Sequence, residues 1–229
     1  MRKSKGEAEM IFNLVVKDAL IVKKYILLMF FVAIFAPGLL LSRMEGSEVS
    51  KSTAGGLIFF LVLFVIIFLL SSSISMVDET YKKGCAYLCT TPYTRRQIVI
   101  SKYVFTYIVF IAYVGIYFLE SMFLKKYTVD LTAKLVIGSL LFISIFRGVL
   151  IPLEYKFGYE KAKYIIMISI MAVPFVSSYV IGNFDFSFMD LSWFYKNENF
   201  FGILCIGCIV ILNFVSIILS CKIFENKDM

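Results

Sequence analysis

The chain has 229 residues, of which 60% are hydrophobic and only 17% are charged, and its formal net charge is +7. Soluble globular domains carry more charge and less apolar surface, so this composition excludes that class and indicates a membrane protein. The sequence contains no histidine, which removes the side chain used most often as a general base from its chemistry.

Six apolar runs are long enough to form membrane-spanning helices, which need about 20 residues to cross about 30 Å of hydrocarbon. They are Tyr25–Ser42, Gly55–Val77, Tyr103–Leu124, Leu135–Leu153, Ile165–Asn183 and Asn199–Cys221. The first, second, fifth and sixth runs contain no Asp, Glu, Lys or Arg, so they lack the polar face of a helix in a soluble bundle. The sequence therefore predicts an all-α integral membrane protein with six transmembrane helices in one domain over residues 1–229.

The segment before the first run combines basic and apolar residues. Asn13 and Lys17 recur at helical spacing within Met10–Lys24, among apolar neighbours. This pattern is typical of an interfacial helix that lies along the inner leaflet, with a cytoplasmic extension of the first span as the alternative. We expect the polar residues before Met10 to be frayed. We do not expect a cleavable signal peptide, because no small-residue cleavage site follows the segment.

The first two runs carry local signals of their own. Pro37 and Gly38 predict a kink near the outer end of the first run, and Arg43–Thr53 predicts a short outer loop. Serines collect near the end of the second run, at Ser71, Ser72, Ser73 and Ser75. Small hydroxyl residues allow close helix approach and can donate to their own backbone, so we expect packing there, with a polar cavity as the alternative.

The longest polar interruption between apolar runs is Asp78–Lys102. Pro92 ends any preceding helix, because proline lacks the amide donor and clashes one turn back. Thr94 stands three residues before Gln97, which is the spacing of a capping box. We therefore expect one helix to begin at Thr94 and to run unbroken through Tyr103, so that a rigid basic corner lies between two spans.

Several polar residues fall inside the third and fourth runs. Tyr107 and Tyr113 lie deeper than an interfacial aromatic belt, so a substrate path is one interpretation of them. Glu120 falls near the outer end, where a carboxylate reaches headgroup water. Arg147 lies within the fourth run, and a charge at that depth is a functional-site hypothesis. We expect Arg147 to snorkel or to pair with Glu79 or Glu154; a substrate or gating role is the alternative.

Lysine and arginine cluster in the N-terminal segment, in Asp78–Lys102, in Lys156–Lys163 and after Cys221. The positive-inside rule places these regions, and hence both termini, in the cytoplasm. The net charge reflects this bias and implies no nucleic-acid partner. Lys156–Lys163 is expected to be a compact cytoplasmic turn broken at Gly158, and the aromatic segment Gly182–Glu198 a short piece in the outer interface.

Motifs for catalysis and for ATP binding are absent from the sequence. It contains no G-x-x-x-x-G-K-[ST], no Gly-x-Ser-x-Gly and no paired carboxylates at mid-membrane depth. Cys205 and Cys208 form a C-x-x-C within an apolar run, but no second pair completes a zinc site. We expect no enzyme activity, metal or cofactor. Two interpretations remain: a permease driven by a separate ATPase, or a non-transporting membrane immunity or assembly protein.

Two segments resemble a known family. Leu88–Tyr103, LCTTPYTRRQIVISKY, resembles the first cytoplasmic loop of the ABC-2 type exporter permeases, in their small six-span subgroup. Pro152–Tyr164, PLEYKFGYEKAKY, resembles a second segment of that subgroup. The chain departs from the usual pattern at residues 90–92, at Gln97 and at Lys163. With the similar spacing of apolar runs, the resemblance covers nearly the whole chain.

The resemblance implies a subunit of an ATP-driven exporter in a bacterial cell membrane. Two such permease chains, identical or related, would form the pathway, and each would sit on a separate ATPase subunit that binds ATP and Mg. The implied cargo is amphipathic, such as phenol-soluble modulins, other peptides, peptide antibiotics or lipid-like molecules. The residues expected to couple to the ATPase are Glu79, Tyr81, Pro92, Tyr93, Thr94, Arg95, Arg96, Gln97, Tyr159 and Glu160.

Overall fold

The computed structural model describes residues 2–42, 48–80, 93–123, 131–165, 167–168 and 198–226. Over these ranges the chain is helical and forms no strand. The helices are α1 (Arg2–Ile21), α2 (Lys23–Ser42), α3 (Glu48–Thr80), α4 (Arg95–Phe123), α5 (Ala133–Phe157) and α6 (Glu198–Glu225). A shorter helical stretch covers residues 159–165. By length and composition, each helix from α2 to α6 can cross a membrane.

Helix α4 occupies the middle of the bundle, because it contacts each of the other five helices. It runs antiparallel to α3, since Phe59 packs against Tyr117 while Asp78 pairs with Lys102. It also runs antiparallel to α6, whose last turn contacts Arg95. The ends of α3 and α6 therefore lie beside the start of α4.

Helix α5 runs parallel to α3. Phe60 of α3 packs against Phe142 of α5, and further along both helices the Ser75 hydroxyl donates to the Glu154 carboxylate. The ends of α3, α5 and α6 and the start of α4 thus lie together. We call this side of the bundle the corner end. The described part of the predicted basic corner, from Tyr93 onward, lies here.

Helices α5 and α6 also run parallel. Ile137 lies beside Gly202 near the start of both helices, and the Ser216 hydroxyl donates to the Gly148 carbonyl further along. The chain between α5 and α6 must therefore return from the corner end to the opposite end. The predicted fifth span, Ile165–Asn183, would make this return, but it lies almost wholly outside the described residues. The count of six spans stays a prediction.

Two clusters of buried side chains hold the bundle. The larger one runs along α1 to α5 and centres on Phe59 and the tyrosines of α4. The second lies at the corner end and joins α1, α4, α5 and α6. Its buried members are Leu14, Ile98, Val99, Tyr103, Ile151, Tyr155 and Phe224. By contrast, α2 and α6 carry many exposed apolar side chains, as expected of helices that face lipid.

The N-terminal helix differs from the sequence prediction. It begins at Arg2 rather than near Met10, so the expectation of a frayed polar start is wrong. Charges of opposite sign four residues apart, as at Lys5 and Glu9, favour a helix. The helix ends at Ile21, and it buries Leu14 and other apolar side chains against the bundle. Its interfacial position in a membrane stays a prediction.

Two loop predictions are also corrected. Helix α3 begins at Glu48, so the predicted outer loop Arg43–Thr53 is too long. The helix can include residues 48–54 because they contain neither glycine nor proline. Gly158 does end α5, with a positive φ of 86° and its N–H bonded to the Glu154 carbonyl. Most of Lys156–Lys163 is nevertheless helical on either side of Gly158, rather than a turn.

The orientation of the bundle is tested with single cysteines in a cysteine-free background. Ala133 and Lys156 are exposed at opposite ends of α5, and the positive-inside rule places Lys156 in the cytoplasm. An impermeant maleimide added to intact cells should label Ala133→Cys but not Lys156→Cys until the cells are permeabilised. The reverse pattern of labelling would invert the topology.

The contact between α5 and α6 depends on a small residue at Gly148. A Cβ added there meets the Ser216 Cβ at 3.6 Å, an ordinary contact, whereas nothing lies within 4 Å of one added at Gly138 on the same helix. We expect Gly148→Leu to lower the free energy of unfolding by about 1–3 kcal/mol, since it overpacks the interface. Thermal unfolding in detergent measures this, with Gly148→Ala and Gly138→Leu as controls. Equal loss in both leucine variants would contradict the prediction.

Candidate functional site at the corner end

The corner, which we define as residues Tyr93–Ile100, begins with the predicted capping box. The Thr94 N–H donates to Gln97 Oε1 at 2.9 Å, and the Gln97 N–H donates to Thr94 Oγ1 at 3.3 Å. These reciprocal bonds satisfy amide donors that a helix start leaves without partners. Helix α4 then runs unbroken to Phe123. The capping box and the continuous helix are both confirmed, while Tyr81 and Pro92 lie outside the described residues.

The two arginines of the corner contact the end of α6. Arg95 Nη1 donates to the carbonyl oxygens of Phe224 at 2.9 Å and of Glu225 at 2.8 Å, and its guanidinium lies 5.6 Å from the centre of the Phe224 ring. Arg96 Nε lies 2.9 Å from Glu225 Oε1 in an exposed ion pair. The sequence could not predict the contacts of Arg95 and Arg96 with the end of α6, because the partners are about 130 positions apart. The acceptors of Arg95 are also backbone groups, which every residue has.

The other residues assigned to coupling lie at the same end but differ in exposure. Tyr93 is half-buried against the second cluster, and the Gln97 side chain is buried. Beyond Gly158, Tyr159 is half-buried and Glu160 is exposed. The backbone of Glu79 belongs to the last turn of α3. The structure thus gathers the described members of this set, although their contact with an ATPase stays a prediction.

An ion pair lies below the corner, inside the bundle. Lys102 Nζ on α4 is 2.9 Å from Asp78 Oδ2 on α3, and it lies 5.3 Å from the centre of the Tyr155 ring on α5. Lys102 is buried and Asp78 is half-buried. Charges removed from water are stable only with a close partner of opposite sign, so this pair ties the end of α3 to the first turns of α4.

Arg147 lies next to this pair and is turned away from lipid, with 4% of its surface exposed. Its Nε donates to Thr106 Oγ1 at 3.1 Å, and Thr106 donates to the Lys102 carbonyl at 3.0 Å. Arg147 makes no direct ion pair with Glu154, although the two charges attract each other. The Glu154 carboxylate accepts a 2.8 Å bond from the Ser75 hydroxyl. The side chain of Glu79 lies outside the description.

A small cavity lies beside Arg147 and Lys102. The residues that line it are Ser71, Ile74, Ser75, Lys102, Phe105 and Arg147. Arg147 Nη1 and Glu154 Oε1 have no hydrogen-bond partner among the described residues. Two of the four clustered serines therefore line a polar cavity, while Ser73 donates to the Leu69 carbonyl of its own helix at 2.8 Å. We call Ser75, Asp78, Lys102, Thr106, Arg147 and Glu154 the polar junction.

Helix α1 adds one more charge beside the polar junction. Asp18 is buried, and Lys17 Nζ lies 3.0 Å from its Oδ1. Burial raises the pKa of Asp18 above its usual value, and this outweighs the lowering by Lys17. Lys102 also attracts the Asp18 carboxylate. Charged groups from α1, α3, α4 and α5 therefore meet at one end of the bundle, and a shift of any one helix changes the surroundings of the others.

Two tyrosines of α4 bond to neighbouring helices. The Tyr107 hydroxyl donates to Asn213 Oδ1 at 2.6 Å on α6 and shares a 3.0 Å bond with Ser144 on α5. Tyr113 is buried, and its hydroxyl bonds to the Phe59 carbonyl at 3.3 Å. A pathway role for either tyrosine stays a prediction.

Glu120 requires a correction, because it is buried and does not extend to headgroup water as the sequence suggested. It follows Tyr117 by three residues and Tyr113 by seven, and residues at that spacing share one helix face. The face that buries the two tyrosines therefore buries the carboxylate as well.

The ion pair between Lys102 and Asp78 should be sensitive to the loss of one partner. Lys102→Met leaves a half-buried carboxylate without its cation, and we expect the free energy of unfolding to fall by about 3–5 kcal/mol. Adding Asp78→Asn should recover part of this loss, because the uncompensated charge is gone. Thermal unfolding in detergent measures both variants, with exposed Lys163→Met as the control. A double variant no more stable than Lys102→Met would contradict this account.

Comparison with known proteins identifies the family. A family model described as an ABC-2 family transporter protein matches residues 13–225, which is nearly the entire chain and includes both the corner and the polar junction. Neither the curated proteins nor the solved structures gave a match. The match agrees with the resemblance of Leu88–Tyr103 and Pro152–Tyr164 to ABC-2 permeases. The chain is thus a multi-pass membrane protein that belongs to the ABC-2 transporter family.

Proposed function

We propose that the chain is the permease subunit of an ATP-driven exporter and that a separate ATPase subunit drives it through the corner. The observation that carries this proposal is the capped start of α4. Because the capping box prevents fraying at Thr94 and the helix continues for 29 residues from Arg95, a displacement of the corner moves the central helix as one rod. Its contacts with all five other helices pass that movement on.

The division of labour follows from the sequence and the family. The chain has no G-x-x-x-x-G-K-[ST] with which to bind ATP phosphates, so ATP and Mg belong to the partner subunit. A second permease chain, identical or related, would complete the pathway, in a bacterial cell membrane. The exported cargo would be amphipathic: a peptide, a peptide antibiotic or a lipid-like molecule.

Exposure divides the corner into two groups of residues. The Arg96 side chain is 71% exposed and Thr94 is also exposed, so both are available to a docked ATPase. Gln97 is buried and Arg95 binds the end of α6, so these two hold the corner in shape. We therefore expect Arg96 to carry the electrostatic part of docking, with Glu160 beside Gly158 as a second exposed contact.

A charge swap separates docking from internal stability. Arg96→Glu removes the outward positive charge and also breaks the ion pair with Glu225. The double variant Arg96→Glu/Glu225→Arg restores a pair of opposite charges but leaves position 96 negative. If the ATPase docks on Arg96, both variants should recover less ATPase subunit when the tagged permease is purified from its native membrane.

Water and salt screen exposed ion pairs, which therefore add little to stability, so the swap should leave membrane levels of the permease unchanged. Glu225→Gln, which loses the pair but keeps Arg96, is the matched control and should recover the ATPase normally. Full recovery with the double variant would show that Arg96 acts only within the chain. Purification of the native chain without any ATP-hydrolysing subunit would favour the non-transporting alternative.

A further inference from the structure

We propose that the last turn of α6 is a coupling element: Arg95 clamps it to the corner, so that α6 moves together with α4 when the ATPase acts. This inference rests on the proposed function. It assigns roles to Phe224 and Glu225 that the sequence did not suggest. Arg95 is a positioning residue in this account, since it acts through the end of α6.

The chemistry of the clamp suits a helix terminus. The last four carbonyls of a helix have no partner within it, and Arg95 donates to two of them, at Phe224 and Glu225. A cation at this position also interacts favourably with the helix dipole. The contact of the guanidinium with the Phe224 ring adds a cation–π component. The clamp is thus made of several charge-assisted contacts rather than one surface ion pair.

Phe224 provides the apolar packing of the clamp. Its side chain is buried, and its ring lies 4.7 Å from that of Tyr155 near the end of α5. It belongs to the same cluster as Ile98 and Val99, which follow Arg95 on α4. The last turn of α6 therefore packs between the start of α4 and the end of α5.

Hydrogen bonds further along α6 also join it to α4. Tyr103 bonds to Ser216 and Ser220, and Tyr107 bonds to Asn213, so α4 and α6 share polar contacts over several turns. Ser216 in turn donates to the Gly148 carbonyl at 2.6 Å on the parallel helix α5. Displacement of the clamp would therefore move α6 together with α4, and α5 through its contact with Ser216.

Two lipid-facing positions at similar depth report the two helices separately. Ile108 on α4 is 46% exposed and Ile211 on α6 is 64% exposed, and they lie near the contact of Tyr107 with Asn213. Spin labels on Ile108→Cys or Ile211→Cys, in a cysteine-free background, are measured in the permease–ATPase complex in lipid nanodiscs. Spectra are compared before and after trapping with ATP and vanadate.

The clamp is weakened from the α6 side, so that no residue of the corner itself is replaced. In Phe224→Ala the label at Ile211 should lose most of its ATP-dependent change while the label at Ile108 keeps it. The bonds of Tyr103 and Tyr107 to α6 would carry the remainder. Phe224→Leu, which retains apolar packing but lacks the ring, should show a reduced change at Ile211 and serves if the alanine variant fails to fold. Exposed Lys222→Ala, on the same turn, is the matched control and should behave as the parent.

The outcomes distinguish this inference from the proposed function. If Ile211 responds to ATP in both Phe224 variants as fully as in the parent, α6 does not depend on the clamp and the inference is overturned. If the parent shows no response at Ile108, or if no ATPase subunit accompanies it, the proposed function fails and the inference fails with it. A response at Ile108 with loss at Ile211 in the Phe224 variants, and not in Lys222→Ala, supports the clamp.

Discussion

The buried ion pair between Lys102 and Asp78 is the interaction on which the corner end depends. An ammonium group placed among apolar helices is stable only beside an anion, so its position restricts how α3 and α4 can pack. Tyr155 covers the pair from α5, and the hydrogen bond of Arg147 to Thr106 lies one turn further along α4. A shift of α3 or α5 along α4 would separate these partners, so the polar junction opposes such a shift.

Away from the corner end, apart from the buried Glu120, apolar packing and hydrogen bonds hold the described helices together. Apolar contact between helices gains little over contact with lipid tails, so close fit and hydrogen bonds decide which helices associate. Phe59 illustrates this, since it contacts Tyr113 and Tyr117 while its carbonyl accepts a bond from Tyr113. The contact of Gly148 with Ser216 does the same for α5 and α6.

Local signals in the sequence were sufficient for much of this architecture. Apolar runs without charge indicated helices that cross the membrane, because hydrocarbon leaves no other way to satisfy the backbone. The capping box at Thr94 and the break at Gly158 were both found from spacing and residue type, since each depends on neighbours within one turn. The start of α1 was misjudged because a polar composition was taken as fraying, although charges spaced by four residues favour a helix.

Only the tertiary structure decided which polar groups meet. The sequence indicated that Arg147 needs a partner and offered Glu79 or Glu154, but its hydrogen bond to Thr106 depends on the rotation of α4 against α5. Likewise, nothing within one turn of Arg95 shows that it binds the carbonyls of Phe224 and Glu225, because backbone acceptors leave no mark in the side-chain pattern. Glu120 was expected near water and is buried because the face it shares with Tyr113 turns inward. Sequence alone determined where most of the described helices lie, because periodicity and capping act within one turn. Their rotation and pairing depend on contacts between residues far apart in the chain.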